Sequence, residues 1–294
     1  MLDPQGRALA AAVQWWSLPA FEPAGVQWPV ALVQAPAAGT SASAVADSAA
    51  AASAAAEPVL LLHGFDSSFL EFRRLVPLLA QRSPVVVPDL HGFGFTPREG
   101  EFSPAAVLRH LEALLAQLQD RSGALRVGLI GASMGGSVAM ELARRCPQRI
   151  SRLLLLAPAG LTGRPMPVPP LLDQLGARFL ALPGVRRGLC RTAFADPDRD
   201  VGPAELEIAS LHLQCPNWGP ALAAFARSGG FAGCGEPLPP QPIQVLWGAN
   251  DRILRPPQKR AAQALLGERI RELEACGHLP HIDQPATVAR IWHG

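Results

Sequence analysis

The sequence predicts an α/β fold built on a mostly parallel, doubly wound sheet, and two patterns in the chain lead to this prediction. Short continuous apolar runs recur along the chain, without the alternation of apolar and polar residues that marks a sheet with one wet face. Helical patterns lie between several of these runs, so strands and helices alternate. A sheet covered by helices on both faces accounts for both patterns.

The individual elements follow from these runs. The predicted strands lie at 27–34, 59–62, 85–87, 127–130, 153–156, 243–247 and 270–273. The predicted helices between them lie at 69–81, 103–119 and 134–145. Residues 35–57 are a low-complexity Ala/Ser stretch, which predicts a disordered loop without chemistry. Trp15 and Trp16 are expected to be buried in an edge strand, with contact to a membrane surface as the alternative.

The alternation of strand and helix stops between residues 161 and 238. This interval is rich in proline and arginine, and it contains helical patches at 170–182 and 203–213 but no clear buried strand. We therefore expect a core of residues 1–160 and 239–294, interrupted by a helical cap of residues 161–238. The cap should lie over the carboxyl ends of the strands, where α/β folds bind their ligands. A peripheral helical decoration without a role in substrate binding is the alternative.

Composition argues against several classes of protein. A net charge of +2 with 17% charged residues provides no basic surface for nucleic acid. The five cysteines are widely spaced and form no pattern suited to zinc, so we expect reduced thiols, no metal site and a cytoplasmic protein. No apolar run approaches the ~20 residues needed to cross a bilayer, and we expect no signal peptide. The oligomeric state is left open.

One serine stands in a forced turn between a predicted strand and a predicted helix. The pentapeptide GASMG at 131–135 directly follows the apolar run that ends at Ile130. The backbone of such a turn is strained and its neighbours lie very close to the serine, so glycine is needed on both sides. Ser133 is therefore the candidate nucleophile.

A serine nucleophile needs a base, and the base needs a carboxylate that fixes its tautomer and stabilises its charged form. Asp251 and His278 each follow a predicted strand, and they come after Ser133 in the order nucleophile, acid, base. His281 and Asp283 lie close to the proposed base. Because His281 falls further into a predicted helix, we prefer His278, at the start of a loop.

Acyl transfer also requires two N–H donors for the developing oxyanion. The residue after the nucleophile, Met134, supplies one donor, and the loop His63-Gly64-Phe65 suggests the N–H of Phe65 as the other. The side chains of both residues are expected to be pocket walls. The predicted substrate pocket is completed by His63, Phe69, Leu161 and Leu279. For His63 the alternative role is to brace its loop through hydrogen bonds.

Together these motifs resemble the α/β-hydrolase fold superfamily, from Val59 to the C terminus. The motifs that carry the resemblance are HGF at 63–65, PDLHGFG at 88–94, GASMGG at 131–136, WGANDR at 247–252 and CGH at 276–278. The resemblance implies a serine hydrolase for an apolar carbonyl substrate, without metal or organic cofactor. Epoxide hydrolases and haloalkane dehalogenases have aspartate where this chain has Ser133, and hydroxynitrile lyases have lysine where it has Leu279. These branches are disfavoured.

Two branches of the superfamily share most of the motifs. The run SMGG at 133–136, with the motifs around Asp251 and His278, is similar to meta-cleavage-product hydrolases, which cut carbon–carbon bonds beside a carbonyl. Ala132 and Leu279 depart from their pattern. The same run with HGF resembles carboxylesterases and cofactor-free perhydrolases. Because ester hydrolysis demands least of the site, we expect a carboxylic ester hydrolase with a small-molecule substrate. A ligand receptor on the same fold is the alternative from another class.

Overall fold

The computed structural model describes residues 1–21, 25–35 and 56–294. Most of the predicted Ala/Ser loop, residues 36–55, lies outside this part of the chain. The strands are β1 (Val13–Ser17), β2 (Gln27–Val33), β3 (Val59–Leu62), β4 (Val85–Pro88), β5 (Val127–Ala132), β6 (Ile150–Leu156), β7 (Ile243–Gly248) and β8 (Ile270–Leu273). They form one eight-stranded sheet in the order β1-β2-β4-β3-β5-β6-β7-β8.

The sheet is mostly parallel, as the continuous apolar runs predict. All pairings from β4 to β8 are parallel, whereas β2 pairs antiparallel with both β1 and β4. β1 is an edge strand, and its two tryptophans point to opposite sides of it because side chains alternate along a strand. Trp16 is buried, but Trp15 is 57% exposed. The expectation of two buried tryptophans is therefore wrong for Trp15.

Helices follow most of the strands. They are α1 (Pro4–Ala11), α2 (Val76–Leu79), α3 (Pro104–Ser122), α4 (Met134–Arg145), α5 (Leu172–Ala181), α6 (Pro183–Ala193), α7 (Pro197–Asp200), α8 (Pro203–Ile208), α9 (Trp218–Arg227), α10 (Pro256–Leu266), α11 (Pro280–Asp283) and α12 (Pro285–His293). The predicted helix at 69–81 is divided into a 3₁₀ turn at Phe69–Phe72 and the short α2. Pro77 explains the division, since its ring lacks an N–H and clashes with the preceding turn of a continuous helix.

Apolar side chains cover both faces of the sheet. Along β3, Leu60 and Leu62 belong to one buried cluster, while Val59 and Leu61 belong to the other. This alternation between two dry faces explains why the run contains no polar residue. It also leaves the carboxyl ends of the parallel strands as the place where polar loops meet.

The chain between β6 and β7 contains the five helices α5 to α9 and a 3₁₀ turn, and residues 161–238 form no strand. The helical patch expected at 203–213 ends at Ile208 and continues after a break as the 3₁₀ turn Leu211–Gln214. Within the residues that the structure describes, no helix is long and apolar enough to cross a membrane.

Candidate active site

Ser133 occupies a sharp turn between β5 and α4. Its backbone has a φ of 52° and a ψ of −118°, a strained region for a residue with a side chain. A Cβ on Gly131 would lie 2.3 Å from the carbonyl oxygen of Gly135, and one on Gly135 would lie 2.0 Å from that of Leu62. Glycine is therefore required at both positions, and the turn presents Ser133 at the carboxyl end of the sheet.

The structure brings Ser133, His278 and Asp251 together. His278 Nε2 lies 2.9 Å from Ser133 Oγ, and His278 Nδ1 lies 2.9 Å from Asp251 Oδ2. The three residues follow β5, β8 and β7, whose carboxyl ends share one edge of the sheet. A carboxylate at Nδ1 keeps the ring proton on that nitrogen, so Nε2 is free to accept the serine proton.

Asp251 is held in a network of donors. Its Oδ1 accepts the N–H groups of Ile253 at 2.8 Å and Leu254 at 3.2 Å, and its Oδ2 also accepts the indole N–H of Trp247 at 3.0 Å. Burial alone would raise the pKa of Asp251, but the hydrogen bond and charge of His278 and the two backbone N–H groups outweigh it. The pKa of this carboxyl therefore lies below its usual value. Asp251 is ionised at neutral pH, as an orienting group must be.

Hydrogen bonds hold the loops that carry Asp251 and His278 against neighbouring segments. The chain's single lysine, Lys259, donates from Nζ to the carbonyl oxygen of Asp251 at 2.7 Å. The N–H of His278 donates to the carbonyl oxygen of Ala193 on α6 at 2.7 Å. Asp283 accepts the N–H groups of Gly277 and Ala195 through Oδ2, so it braces the loop of the base.

His281, the competing base, is fully buried. Its Nε2 lies 3.5 Å from Glu71 Oε1, and neither ring nitrogen has a hydrogen-bond partner in the described part of the chain. Burial lowers the pKa of His281 to about 3. A ring placed in this way is a poor acceptor for the serine proton, so the geometry favours His278.

The two proposed oxyanion donors, Met134 and Phe65, belong to segments that lie next to Ser133. Met134 is the first residue of α4, and Phe65 follows Gly64, where an added Cβ would lie 3.4 Å from Ser133 Cβ. Neither the N–H of Met134 nor that of Phe65 has a backbone acceptor among the residues described. Both groups are thus available to a negatively charged oxygen beside Ser133.

His63 braces the loop that carries Phe65. Its Nδ1 lies 2.8 Å from the carbonyl oxygen of Gly64, and its Nε2 accepts the N–H of Leu90 at 2.9 Å. These contacts assign the proton to Nδ1. Burial lowers the pKa of His63 to about 4, so the ring is neutral at neutral pH. Glu71 contributes a second brace, because its Oε1 accepts the N–H of Gly64 at 3.1 Å.

Two cavities are lined by Ser133 or by its neighbour Met134. The first has a volume of about 300 Å³, and Ser133 and His278 form part of its wall. The second has a volume of about 290 Å³ and is walled by Met134 and by side chains of the interval between β6 and β7. Phe65 lines both cavities. The cavity walls contributed by residues 161–238 include Leu180, Leu189 and Phe194 for the first cavity and Met166, Val168 and Phe225 for the second.

Of the four side chains expected to complete the pocket, Leu279 lines the first cavity. His63, Phe69 and Leu161 line neither cavity, so the pocket prediction is wrong for these three. All three side chains are buried in the body of the fold. His63 makes two hydrogen bonds there, Phe69 packs against Phe95, and Leu161 belongs to an apolar cluster. Proximity in sequence to the catalytic motifs does not decide which way these side chains point.

Asp66 is a functional candidate that the sequence motifs did not reveal. It pairs with Arg186 of α6, lies 3.1 Å from His212 Nε2, and accepts the indole N–H of Trp218 at 2.8 Å. Burial opposes its charge, but the contacts with His212, Arg186 and Trp218 hold the pKa of Asp66 below its usual value. One carboxylate thus ties the loop of Phe65 to the helices between β6 and β7. The one sequence feature that could have indicated this role is the position of the acidic residue directly after the HGF motif.

A comparison with protein-family models gives one match, to the alpha/beta hydrolase family, over residues 59–291. The chain belongs to this family. The match begins at β3 and includes Ser133, Asp251 and His278, so all three are within the family's shared region.

The relatives that this alpha/beta hydrolase resembles in sequence are named for different activities or for the fold alone. The alpha/beta hydrolase domain-containing protein VTE7 of Arabidopsis thaliana is 30% identical over 247 residues, which are 80% of this chain and 72% of that protein. The 2-hydroxymuconate semialdehyde hydrolase of Pseudomonas sp. strain CF600 is 26% identical, over 81% of this chain and 86% of that protein. The pimeloyl-acyl-carrier-protein methyl ester esterase of Aromatoleum aromaticum is 29% identical, over 79% and 94%.

Among solved structures, the alpha/beta hydrolase is similar to the 2-hydroxy-6-oxo-6-phenylhexa-2,4-dienoate hydrolase from Rhodococcus sp. strain RHA1. The TM-score is 0.70 at 19% sequence identity, over 95% of this chain and 98% of that one. At this identity the similarity establishes the fold, and it confirms the α/β-hydrolase resemblance inferred from the motifs.

Proposed function

We propose that this alpha/beta hydrolase is a serine esterase that hydrolyses apolar carboxylic esters. The observation that supports the proposal most is the unbroken chain of contacts from Ser133 Oγ to His278 Nε2, 2.9 Å, and from His278 Nδ1 to Asp251 Oδ2, 2.9 Å. In this proposal Ser133 is the nucleophile, His278 the general base and acid, and Asp251 the group that orients and stabilises the charged imidazole.

The proposed reaction has two halves. His278 takes the proton of Ser133 as Oγ attacks the ester carbon, and the oxyanion accepts the N–H groups of Phe65 and Met134. When the carbon–oxygen bond breaks, His278 gives its proton to the leaving alkoxide, which departs as the alcohol. His278 then takes a proton from water as the water attacks the acyl-enzyme, and returns it to Ser133 Oγ as the acid leaves.

The two cavities suggest how an ester would lie in the site. The oxygen of the leaving alcohol must come within hydrogen-bond reach of His278, which lines the first cavity. The acyl chain would then occupy the second cavity, whose wall includes Met134. Because residues 161–238 contribute walls to both cavities, we propose that this interval is a cap over the site, with core segments at 1–160 and 239–294.

Carbon–carbon bond hydrolysis of the meta-cleavage type is the second candidate. The similarity to the hydroxymuconate semialdehyde hydrolase, over 86% of that protein, supports it. Polar side chains in the wall of the first cavity, including Arg186 and Glu71, would suit a substrate that carries a carboxylate or an enol. Arg186, however, is already engaged by Asp66 and by the carbonyl oxygen of Ala209. For this reason we place ester hydrolysis first.

Turnover of a p-nitrophenyl ester series, from acetate to long acyl chains, tests the proposal. Ser133→Ala and His278→Ala should each lower kcat/KM by about 10³-fold or more, because each removes a group that acts only as part of the triad. Ser122→Ala is the matched control, since Ser122 Oγ bonds only the carbonyl oxygen of Leu118 and the N–H of Ala124, at the C-terminal end of α3. This variant should retain the parental kcat/KM.

The opposite outcome is equally informative. If the folded parent is no faster than Ser133→Ala on every ester, the esterase proposal is wrong. Hydrolysis of a vinylogous diketone acid by the parent would then identify carbon–carbon cleavage. Labelling by a fluorophosphonate probe distinguishes either enzyme from a ligand receptor, because the probe reacts only with an activated serine.

A further inference from the structure

Helix α5 presents an apolar face to solvent. Leu172, Leu175 and Phe179 are spaced as one face of a helix, and they are 57%, 56% and 58% exposed. Asp173 and Ala177, on the opposite side, are buried, and α5 packs against α9. The helix therefore has a buried side that includes a carboxylate and an outer side made of large hydrophobic residues, the reverse of an ordinary surface helix.

The exposed surface continues beyond α5. We call it the outer apolar face, and it consists of the exposed side chains of Leu171, Leu172, Leu175, Phe179, Leu182 and Leu189. Other exposed large hydrophobic residues, such as Leu2, Trp15 and Leu125, are far from it in sequence. Soluble monomeric proteins rarely expose a contiguous apolar patch of this kind, and such a patch marks an interaction site.

Positive charge accompanies the outer apolar face. Residues 161–195 contain five arginines and a single acidic residue, Asp173, which is buried and paired with Arg227. Two of the arginines, at 186 and 191, are paired with carboxylates. Arg164, Arg178 and Arg187 remain, and the described residues place no carboxylate within ion-pair distance of them.

The outer apolar face shares a residue with the wall of the first cavity. Leu189 belongs to the face and also lines the cavity that holds Ser133. Leu180, the neighbour of Phe179 on α5, lines the same cavity. Met166, an exposed side chain just before α5, lines the second cavity. A partner that covers this face would therefore lie beside the cavity that holds Ser133.

We propose that the outer apolar face docks on the surface of a bilayer that contains anionic phospholipid. The leucines and Phe179 would enter the boundary between head groups and acyl chains, and the unpaired arginines would lie among the phosphates. A second copy of the chain suits the face less well, because a two-fold interface would bring like-charged arginines together with no acidic residue opposite them. Docking would let an apolar substrate pass from the bilayer to Ser133 without crossing water.

Sedimentation with lipid vesicles tests this inference without any measurement of catalysis, so its failure is separable from failure of the proposed esterase. The parent should sediment with vesicles of phosphatidylcholine mixed with phosphatidylglycerol, and less with phosphatidylcholine alone or at high salt. The double variant Leu175→Ser, Phe179→Ser should lower the partition coefficient by about 100-fold, roughly tenfold for each apolar side chain withdrawn from the lipid. The double variant Arg178→Gln, Arg187→Gln should bind more weakly to the vesicles that contain phosphatidylglycerol. Its binding to vesicles of phosphatidylcholine should not change.

Leu125→Ser is the matched control, since Leu125 is 75% exposed and lies outside the outer apolar face. It should bind vesicles like the parent, and all variants should unfold at the parental temperature because the substituted side chains are on the surface. A parent that fails to bind anionic vesicles, or equal losses in the control and the double variant, would overturn the proposal. A dimer in sedimentation velocity that the double variant abolishes, with no vesicle binding by the parent, would assign the face to a second copy.

Discussion

His110 is a buried side chain with no polar partner in the described part of the chain. Neither ring nitrogen makes a hydrogen bond, and the ring packs 5.3 Å from Phe21 and 4.8 Å from Trp28, measured between centroids. Burial lowers the pKa of His110 to about 3, helped by the nearby His91. A buried polar group without a partner costs about 1–3 kcal/mol of stability. His110 therefore weakens the fold, whereas His63 strengthens it.

We expect His110→Leu to raise the free energy of unfolding by about 1 kcal/mol at neutral pH, since it removes unpaired polar atoms at similar volume. The gain should grow on acidification. Below the ordinary histidine pKa of 6.5 the unfolded chain protonates His110, while the folded chain does so only near pH 3. The folded parent therefore loses stability between these values as the pH falls. Urea unfolding at several pH values measures both effects.

His63→Leu provides the contrast. The same substitution there deletes the contacts with Gly64 and Leu90, so it should lower stability. Equal effects of the two substitutions would mean that hydrogen bonding does not distinguish these two buried rings.

At the scale of elements, the turn between β5 and α4 depends on close backbone packing. A Cβ on Gly135 would lie 2.0 Å from the carbonyl oxygen of Leu62 and 2.7 Å from that of His63. Gly135→Ala must therefore push α4 away from β3, and it would shift the N–H of Met134 relative to that of Phe65. We expect a loss in kcat/KM of about 100-fold, as displacements near 1 Å can produce.

Gly188→Ala is the control for this prediction, because a Cβ at Gly188 on α6 meets no atom within 4 Å. It should leave ester turnover unchanged. Full activity of Gly135→Ala would show that the turn tolerates a wider separation than the structure implies.

A single guanidinium in the wall of the first cavity joins three elements. Arg73 is fully buried, and its Nε donates to Asp3 Oδ2 at 2.8 Å, while Nη2 bonds Glu205 on α8. Asp3 also accepts the N–H of Gly6 at 2.7 Å as the N-cap of α1. Arg73 thus connects α1, the 3₁₀ turn Phe69–Phe72 and α8.

We expect Arg73→Met to lower the free energy of unfolding by about 3–5 kcal/mol, because it deletes the ion pair of Asp3 with Arg73 and leaves Glu205 with only Arg74. Arg109→Met is the matched control. Arg109 pairs with Glu101 on the surface, where both side chains are at least half exposed, and such a pair contributes at most about 1 kcal/mol. Denaturant unfolding compares the two, and equal losses would contradict the assigned role of Arg73.

At the scale of the whole molecule, the sequence predicts the body of the fold and the proximity of Ser133, Asp251 and His278, but not the walls of the cavities. The continuous apolar runs mark the strands because a sheet covered on both faces excludes polar residues. Ser133, Asp251 and His278 were predictable because each follows a strand, and parallel strands end at one edge. The order of the strands in the sheet brings the three residues together, so three local motifs were sufficient to predict their proximity.

The cavity walls follow a different rule. Phe225 and Leu180 reach the cavities because α9 and α5 pack together above the sheet, and that packing has no local sequence signature. Phe69 lies close to the HGF motif in sequence, yet it begins the 3₁₀ turn Phe69–Phe72 and its ring packs 5.7 Å from that of Phe95. The contacts of Asp66 with α6 and α9 could not be predicted either, because they also depend on packing between segments distant in sequence.

The contact between Lys259 and the Asp251 loop has a practical consequence for chemical handling of the protein. Arginine carries nearly all the positive charge of this chain, and its guanidinium does not react with ordinary acylating reagents at neutral pH. Apart from the α-amino group, an amine-directed dye, cross-linker or chromatography support therefore has one attachment point. That point is Nζ of Lys259, which donates to the carbonyl oxygen of Asp251 at 2.7 Å. Attachment through the carboxyl terminus avoids tethering the molecule beside its proposed catalytic acid.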